Sequence, residues 1–321
     1  MTATRSPVGV VVSEAGLCDG MQSLRQRLPA AARQAWISAE AAAGVRDIEV
    51  GTLAAFGVLP QTADLSEAVA HALALPGLTV AARVPNFMGA ERALAAGVHR
   101  IALPVFADEA DSLRHMNRTH AQMLREVRRI AQRIGAVPRQ ARPRLQVRLE
   151  MAFGCALTGP ADEAAIARLA ETLAAAGAED IVLCDTAGCA DPRQVRRLTQ
   201  AVWLAVGVKG APGIHLLNTR GLGLANALAA VEAGMTVVHA SLGGLGGNVV
   251  TEDLAFLLES IGIPTGIDLD ALIAARTCVA QYLPGVVLQG CTPVAGLPAG
   301  FRGQPAPSVT KPCPMASEAP K

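Results

Sequence analysis

Eight short β-branched or apolar runs, each followed by a longer segment of helical periodicity, constrain the fold of this chain more than any other feature. The runs are Val8 to Ser13, Val45 to Val50, Leu78 to Val84, Val98 to Leu103, Leu145 to Met151, Asp180 to Cys184, Gly213 to Leu217 and Thr236 to Ala240. The helical segments are Pro29 to Ala43, Leu65 to Ala74, Met88 to Ala95, Thr119 to Gly135, Asp162 to Ala176, Pro192 to Val206, Leu222 to Ala233 and Thr251 to Ile261. Glycines at 44, 97, 177 and 234 stand between a helix and the next strand, where a left-handed residue ends a helix without steric strain. Strand, helix, glycine, strand in repetition describes right-handed βαβ units. Eight of them in order close into a (β/α)8 TIM barrel more naturally than into an open, doubly wound sheet, which usually has fewer strands. Asp268 to Tyr282 predicts an extra C-terminal helix. After Phe301 the chain is rich in Pro and small polar residues and reads as a disordered tail over 302–321, behind a barrel domain over 1–301.

Composition narrows the partners. The 321 residues accommodate a barrel of about 250 with extensions. A content of 51% hydrophobic and 17% charged residues suits a parallel sheet covered by helices on all sides. With 28 basic and 27 acidic residues the net charge is +1, so neither nucleic acid nor an anionic membrane finds an electrostatic footprint. The N-terminal apolar run, Val8 to Val12, is too short for a signal segment, and no stretch reaches the ~20 apolar residues of a membrane helix. The seven cysteines follow no metal-finger spacing. A reduced, cytoplasmic protein is expected.

In such barrels the C-terminal strand ends and the loops behind them carry the chemistry. The first run leads to Asp19, the second holds Glu49, the sixth ends at Asp185, the seventh carries His215 and the eighth leads through a glycine-rich stretch to Asn248. Carboxylate, imidazole and amide groups meeting on one rim suit a hard to borderline divalent ion such as Mg²⁺ or Mn²⁺. Each residue also has a plainer reading. Asp19 before Gly20 fits a turn, Asp185 and Asn248 fit helix starts, and a lone His in a strand is commonly structural. Glu49 is different, because a carboxylate in an apolar strand costs several kcal/mol without partners. The glycines from 243 to 247 lack the Lys-Ser/Thr of a phosphate loop and read as a flexible loop.

Several stretches together resemble the 3-hydroxy-3-methylglutaryl-CoA lyase family: EAGLCDGMQ, IEVGTLAAFGVLPQTAD, VPNFMGAERALAAGV, FGC at Phe153 to Cys155, LCDTAGCADP, GIHLLNTRGLGLANALAAVEAGMTVVHASLGGLGG and GNVVTEDLAFLLESIGIPTGIDLDAL. They span about Val8 to Leu272. The resemblance implies a divalent cation, Mg²⁺ or Mn²⁺, held by Asp19, His215 and Asn248, with Glu49 and Asp185 as supporting acids. It implies cleavage of a carbon–carbon bond in an acyl-CoA substrate, and a homo-oligomer is compatible with it. An aldolase or an isopropylmalate-type synthase fits the stretches less closely.

Three positions depart from the pattern that the resemblance implies. A second metal-binding His would stand at Leu217, which by period-two alternation shares the face of His215. An Arg would precede Asp19, where the chain has Cys18. A Cys-bearing loop would precede Asn248, yet Gly247 runs straight into it. The expectations are therefore a weakly held metal and slow turnover of the family's usual substrate, through an altered substrate or a degenerate active site. The alternative is a non-catalytic paralogue that binds an acyl-CoA or a protein partner.

Overall fold

The two periodicities resolve in space as concentric layers. A computed structural model describes residues 9–24, 27–54, 65–155, 157, 159–207 and 212–301. Its strands are β1 (Val11–Glu14), β2 (Asp47–Thr52), β3 (Thr79–Arg83), β4 (Arg100–Phe106), β5 (Arg144–Glu150), β6 (Asp180–Asp185), β7 (Gly213–Leu216) and β8 (Val237–Ala240). All pair in parallel in sequence order, and β8 returns to β1 with Val11 to Glu14 opposite Val237 to Ala240, which closes the barrel. The expected (β/α)8 fold is present. Tilted strands in a closed barrel leave no sheet edge.

The covering helices are α1 (Ala30–Ala42), α2 (Leu65–Ala74), α3 (Phe87–Ala96), α4 (Glu109–Met116), α5 (His120–Gly135), α6 (Glu163–Ala175), α7 (Pro192–Val206), α8 (Gly223–Glu232), α9 (Thr251–Ser260), α10 (Leu269–Ala280) and α11 (Thr292–Ala295). Several begin at side-chain caps that the sequence supplies, such as Asp162, Asp191 and Thr119, the last forming a reciprocal capping box with Gln122. The inner helix faces and outer strand faces form the apolar layer, with Trp36, Ile37, Ile48, Ile101, Met123 and Leu149 all buried. Each such side chain contributes roughly 1.5–3 kcal/mol of burial. α10 is the expected helix beyond the barrel. The expected tail over 302–321 lies outside the described residues, as does Val8.

α4 and α11 were not anticipated. α4 follows β4 directly and carries few apolar residues, so it has no strong periodic signal. It is held instead by Asp108, whose carboxylate accepts from the amides of Ala110 and Asp111, and it stops at Asn117 in the left-handed region (φ 51°). The consequence reaches the site, because α4 brings His115 and Met116 to the barrel mouth. The lumen itself is polar at its lower end. Ser13 Oγ donates to Asp47 Oδ1 at 2.6 Å, and the Arg100 guanidinium forks onto both Asp47 oxygens at 2.8 and 2.5 Å. No helix among the described residues is long and apolar enough to cross a membrane.

Candidate active site

The C-terminal strand ends open onto a cavity of about 530 Å³ whose lining includes Asp19, Thr52, Arg83, Arg148, Glu150, Thr186, His215, Leu217 and Asn248. Val84, Pro85, Pro104, Phe106, His115 and Met116 give it an apolar wall, and the Phe106 ring stacks on His115 at 4.7 Å.

Asp19 is presented by a tight turn over Gly16–Gly20, in which the Ala15 carbonyl accepts from the amides of Cys18 (3.0 Å) and Asp19 (2.8 Å). Only glycine fits at 16, since a Cβ there would lie 2.5 Å from Glu14 Oε1 and 2.8 Å from the Trp36 ring. The buried Glu14 carboxylate accepts from Gly16 N–H (2.7 Å), from Leu242 N–H (3.1 Å) and from the Thr251 hydroxyl (2.7 Å). It thereby staples the β1 turn to the chain that follows β8. Burial pushes its carboxyl up to about 7, against those hydrogen bonds, which favour the charged form.

Alternating charges line the floor. Arg83 lies 2.6 Å from Asp19 Oδ1 and 3.1 Å from Glu49 Oε1. Arg148 lies 3.4 Å from Asp19 Oδ2, 3.7 Å from Glu49 Oε2 and 3.1 Å from Glu150 Oε1. Burial alone would raise the Asp19 carboxyl, but the two guanidiniums outweigh it and hold the group well below the usual carboxylate range. The same balance lowers Glu150, which also accepts from the Thr186 hydroxyl at 2.7 Å. His215 is driven the other way: burial, then Arg148, bring it down to about 4, so its imidazole is neutral at physiological pH and keeps a free lone pair.

Three cavity donors have the chemistry to hold a divalent cation. His215 Nε2 stands 3.5 Å from Asp19 Oδ2. The Asn248 amide donates to the Leu245 carbonyl at 2.7 Å, which leaves its Oδ1 buried and without a hydrogen-bond partner. One carboxylate oxygen, one imidazole nitrogen and one amide oxygen suit Mg²⁺ or Mn²⁺. Cys18, Asp19 and Glu49 also offer ligand atoms within 4.8 Å of one another. Cys18 is the poorer ligand of the two sets, because burial pushes its thiol far above the ordinary range and a neutral thiol does not bind hard cations. Leu217 lies on the cavity wall, where an isobutyl group offers no ligand.

Of the five residues singled out from the sequence, Asp19, His215 and Asn248 line the cavity, and Glu49 lies directly behind Asp19, paired with both arginines. Asp185 does not line it. Its carboxylate accepts from the amides of Cys189 (2.8 Å) and Ala190 (3.1 Å), so it shapes the turn that carries Thr186 into the cavity, and burial raises its pKa despite those bonds. Arg83, Arg148 and Glu150 were missed. Their signal was the one that marked Glu49: in β5, Gln146, Arg148 and Glu150 alternate with Leu145, Val147 and Leu149, which turns a charged row into the lumen.

Comparison with known proteins agrees with this architecture. Residues 10–279 match the family model HMGL-like. The chain is 35% identical over 285 residues to "(R)-citramalyl-CoA lyase" of Chloroflexus aurantiacus, covering 83% of this chain and 88% of that protein. It is 33% identical over 286 residues to "3-hydroxy-3-isohexenylglutaryl-CoA/hydroxy-methylglutaryl-CoA lyase" of Pseudomonas aeruginosa, covering 86% and 94%. Its fold superposes on an HMG-CoA lyase from A. baumannii, solved in complex with coenzyme A and 3-methylmalate, with a TM-score of 0.84 at 31% identity, covering 95% of this chain and all of that one. A closed eight-stranded barrel with acid, imidazole and amide donors at its mouth, and likeness to acyl-CoA lyases along most of its length, place the chain in the HMGL-like family.

Proposed function

We propose that the protein is a carbon–carbon lyase that cleaves a 3-hydroxyacyl-CoA to acetyl-CoA and an oxo compound. The observation that carries this reading is the meeting of Asp19, His215 and Asn248, from β1, β7 and the chain after β8, in one cavity of a chain related to acyl-CoA lyases. Asp19, His215 and Asn248 would hold a divalent cation, which when bound supplies Lewis-acid polarisation of substrate oxygens. Glu49 acts from behind as a supporting acid, and Asp185 as a positioning residue through the turn that bears Thr186. The Glu150 carboxylate, which lines the cavity and is not one of the three metal-binding groups, is the acceptor for the substrate hydroxyl proton. The wall formed by Val84, Pro104, Phe106, Met116 and Leu217 receives the alkyl branch of the acyl group.

Leu217 in place of a donor and the direct passage from Gly247 to Asn248 favour slow turnover of 3-hydroxy-3-methylglutaryl-CoA itself. Each lost preorganised group costs typically ~10² to 10³ in rate. The same substitutions favour, as a second reading, a barrel that binds acyl-CoA without cleaving it. The purified protein with Mg²⁺ or Mn²⁺ is to be incubated with hydroxymethylglutaryl-, citramalyl- and isohexenylglutaryl-CoA, with products read by mass spectrometry. Acetyl-CoA is expected from at least one, at well under a typical ~10 s⁻¹ for hydroxymethylglutaryl-CoA. Tight binding with no product from any of them would sink the lyase reading in favour of the binding protein.

A further inference from the structure

The glycine-rich stretch between β8 and Asn248, which reads from the sequence as a flexible loop, is pinned from beneath. Gly243, Gly244, Gly246 and Gly247 all have positive φ, between 62° and 78°. A backbone so permissive keeps one course only where its surroundings impose it. The Glu252 carboxylate at the start of α9 accepts from Gly243 N–H at 2.9 Å, and the Gly243 carbonyl accepts from Gln289 N–H at 2.7 Å. A Cβ at 243 would lie 2.8 Å from Leu288 Cβ, so the segment after α10 presses directly on the loop backbone.

That segment is tied down at two points. Arg276 on α10 donates through Nη1 to Glu252 Oε1 (2.9 Å) and to the Gln289 carbonyl (2.5 Å), and through Nη2 to the Leu288 carbonyl (2.6 Å). Asp253 accepts from the amides of Cys291 (2.9 Å) and Thr292 (2.7 Å). One guanidinium and one carboxylate thus hold residues 288–292 as a strap under the loop. Hydrogen bonds to charged groups are roughly twice as strong as neutral ones, which suits them to this task.

The loop passes this order to two of the proposed cation donors. The Leu245 carbonyl accepts from Asn248 Nδ2 at 2.7 Å; a carbonyl cannot donate, so it fixes which end of the amide faces it and leaves Oδ1 without a partner. On its other side the loop lies against the β1 turn. A Cβ at Gly20 would stand 2.7 Å from Leu245 Cβ, and one at Gly246 would stand 3.1 Å from the Asp19 carbonyl oxygen. The far end of the loop is held by β7, through Asn218 N–H to the Gly247 carbonyl at 2.7 Å, whereas the Gly243 end rests on Glu252 and the strap.

We propose that Arg276 is a positioning residue of the metal site, acting through the strap and the loop to hold Asn248 and Asp19 in register with each other. The assignment rests on the reading of Asp19, His215 and Asn248 as the cation-binding set. Arg276 stands outside the cavity lining, so its effect belongs to cation affinity rather than to contact with substrate. Groups that orient metal ligands from behind typically change affinity by roughly 10- to 100-fold.

The test combines calorimetric titration of Mn²⁺ into the full-length protein with amide hydrogen exchange read by mass spectrometry. Arg276→Gln is expected to weaken Mn²⁺ binding about tenfold and to speed exchange over residues 242–250, while β3 to β6 exchange as in the wild type. Because that variant leaves Glu252 without its cation, Asp253→Asn, which loosens the strap at its other anchor, is the companion and should also weaken Mn²⁺ binding. Arg276→Lys keeps the charge and should recover part of the loss. Wild-type Mn²⁺ affinity in Arg276→Gln, despite faster exchange over 242–250, would overturn the assignment and leave the strap as packing. Exchange that accelerates throughout the barrel would overturn it too, by assigning Arg276 to overall stability. Both of those outcomes leave the cation site itself standing. A wild type that binds no Mn²⁺ would instead end the reading of the three donors as a cation site, and the positioning role with it.

Discussion

Leu217 shows how one side chain sets the strength of a site whose other members are in place. It lines the same cavity as His215, and its backbone bridges to Asn248, so an imidazole at 217 would enter beside two of the three donors. Leu217→His should tighten Mn²⁺ binding at least about tenfold, an effect that even groups behind a metal ligand produce. Isothermal titration of both proteins checks it, and equal affinities would remove Asp19, His215 and Asn248 as the binding set. At this scale the legible residues were those next to a strand end or stranded in an apolar run, which is why Asp19, Glu49, His215 and Asn248 could be picked out. Arg83 closes the sequence TVAAR as a single charge in an apolar strand, and Arg148 sits inside an alternating row. Both were open to the reasoning that found Glu49, but long basic side chains in strands are commonly solvent-facing, and only the closure of the barrel shows which way these two face.

Between elements, Glu14 is the joint that matters most, since its one carboxylate holds the β1 turn, the chain after β8 and the start of α9. Its folded-state value of about 7 lies above the ordinary 4.5 of a free Glu, so the folded protein binds its proton more tightly than the unfolded chain does. The associated stability is present in full below pH 4.5 and is lost as pH rises through about 7. Glu14→Gln keeps an acceptor and removes the titration. Relative to the wild type, the variant should therefore gain on the order of 3 kcal/mol between those limits. His215, depressed to about 4, acts in the opposite sense over much of the same range, which is why the difference between the two proteins, not either curve alone, is the informative quantity. Urea midpoints at several pH values measure it, and a pH-independent difference would contradict the shift. Long periodic elements such as α5 and α7 were legible from their spacing. α4 was not, because its stability comes from a cap and from packing on β4 instead of an apolar stripe.

Across the whole molecule, the apolar layer lies outside the strands while the lumen carries charge, and the two layers respond differently to change. Asp47 and Arg100 are both nearly buried and joined by two hydrogen bonds. Asp47→Ala should cost about 3–5 kcal/mol by urea unfolding, because it leaves a guanidinium in a place that water does not reach. Asp47→Leu with Arg100→Met should recover most of that loss, and a double variant no better than the single one would show that the pair is favourable in itself. The row Glu49, Arg83, Asp19, Arg148, Glu150 extends the same logic to the mouth, where each charge touches one of opposite sign. Such a row constrains descent as well as stability. A lone substitution strands its neighbour, so the rim can drift only by steps in which a charge leaves one strand as another arrives nearby. A barrel mouth of this design can change its residues only by exchanges that leave every remaining charge a neighbour of opposite sign, which keeps its electrostatic field where it was.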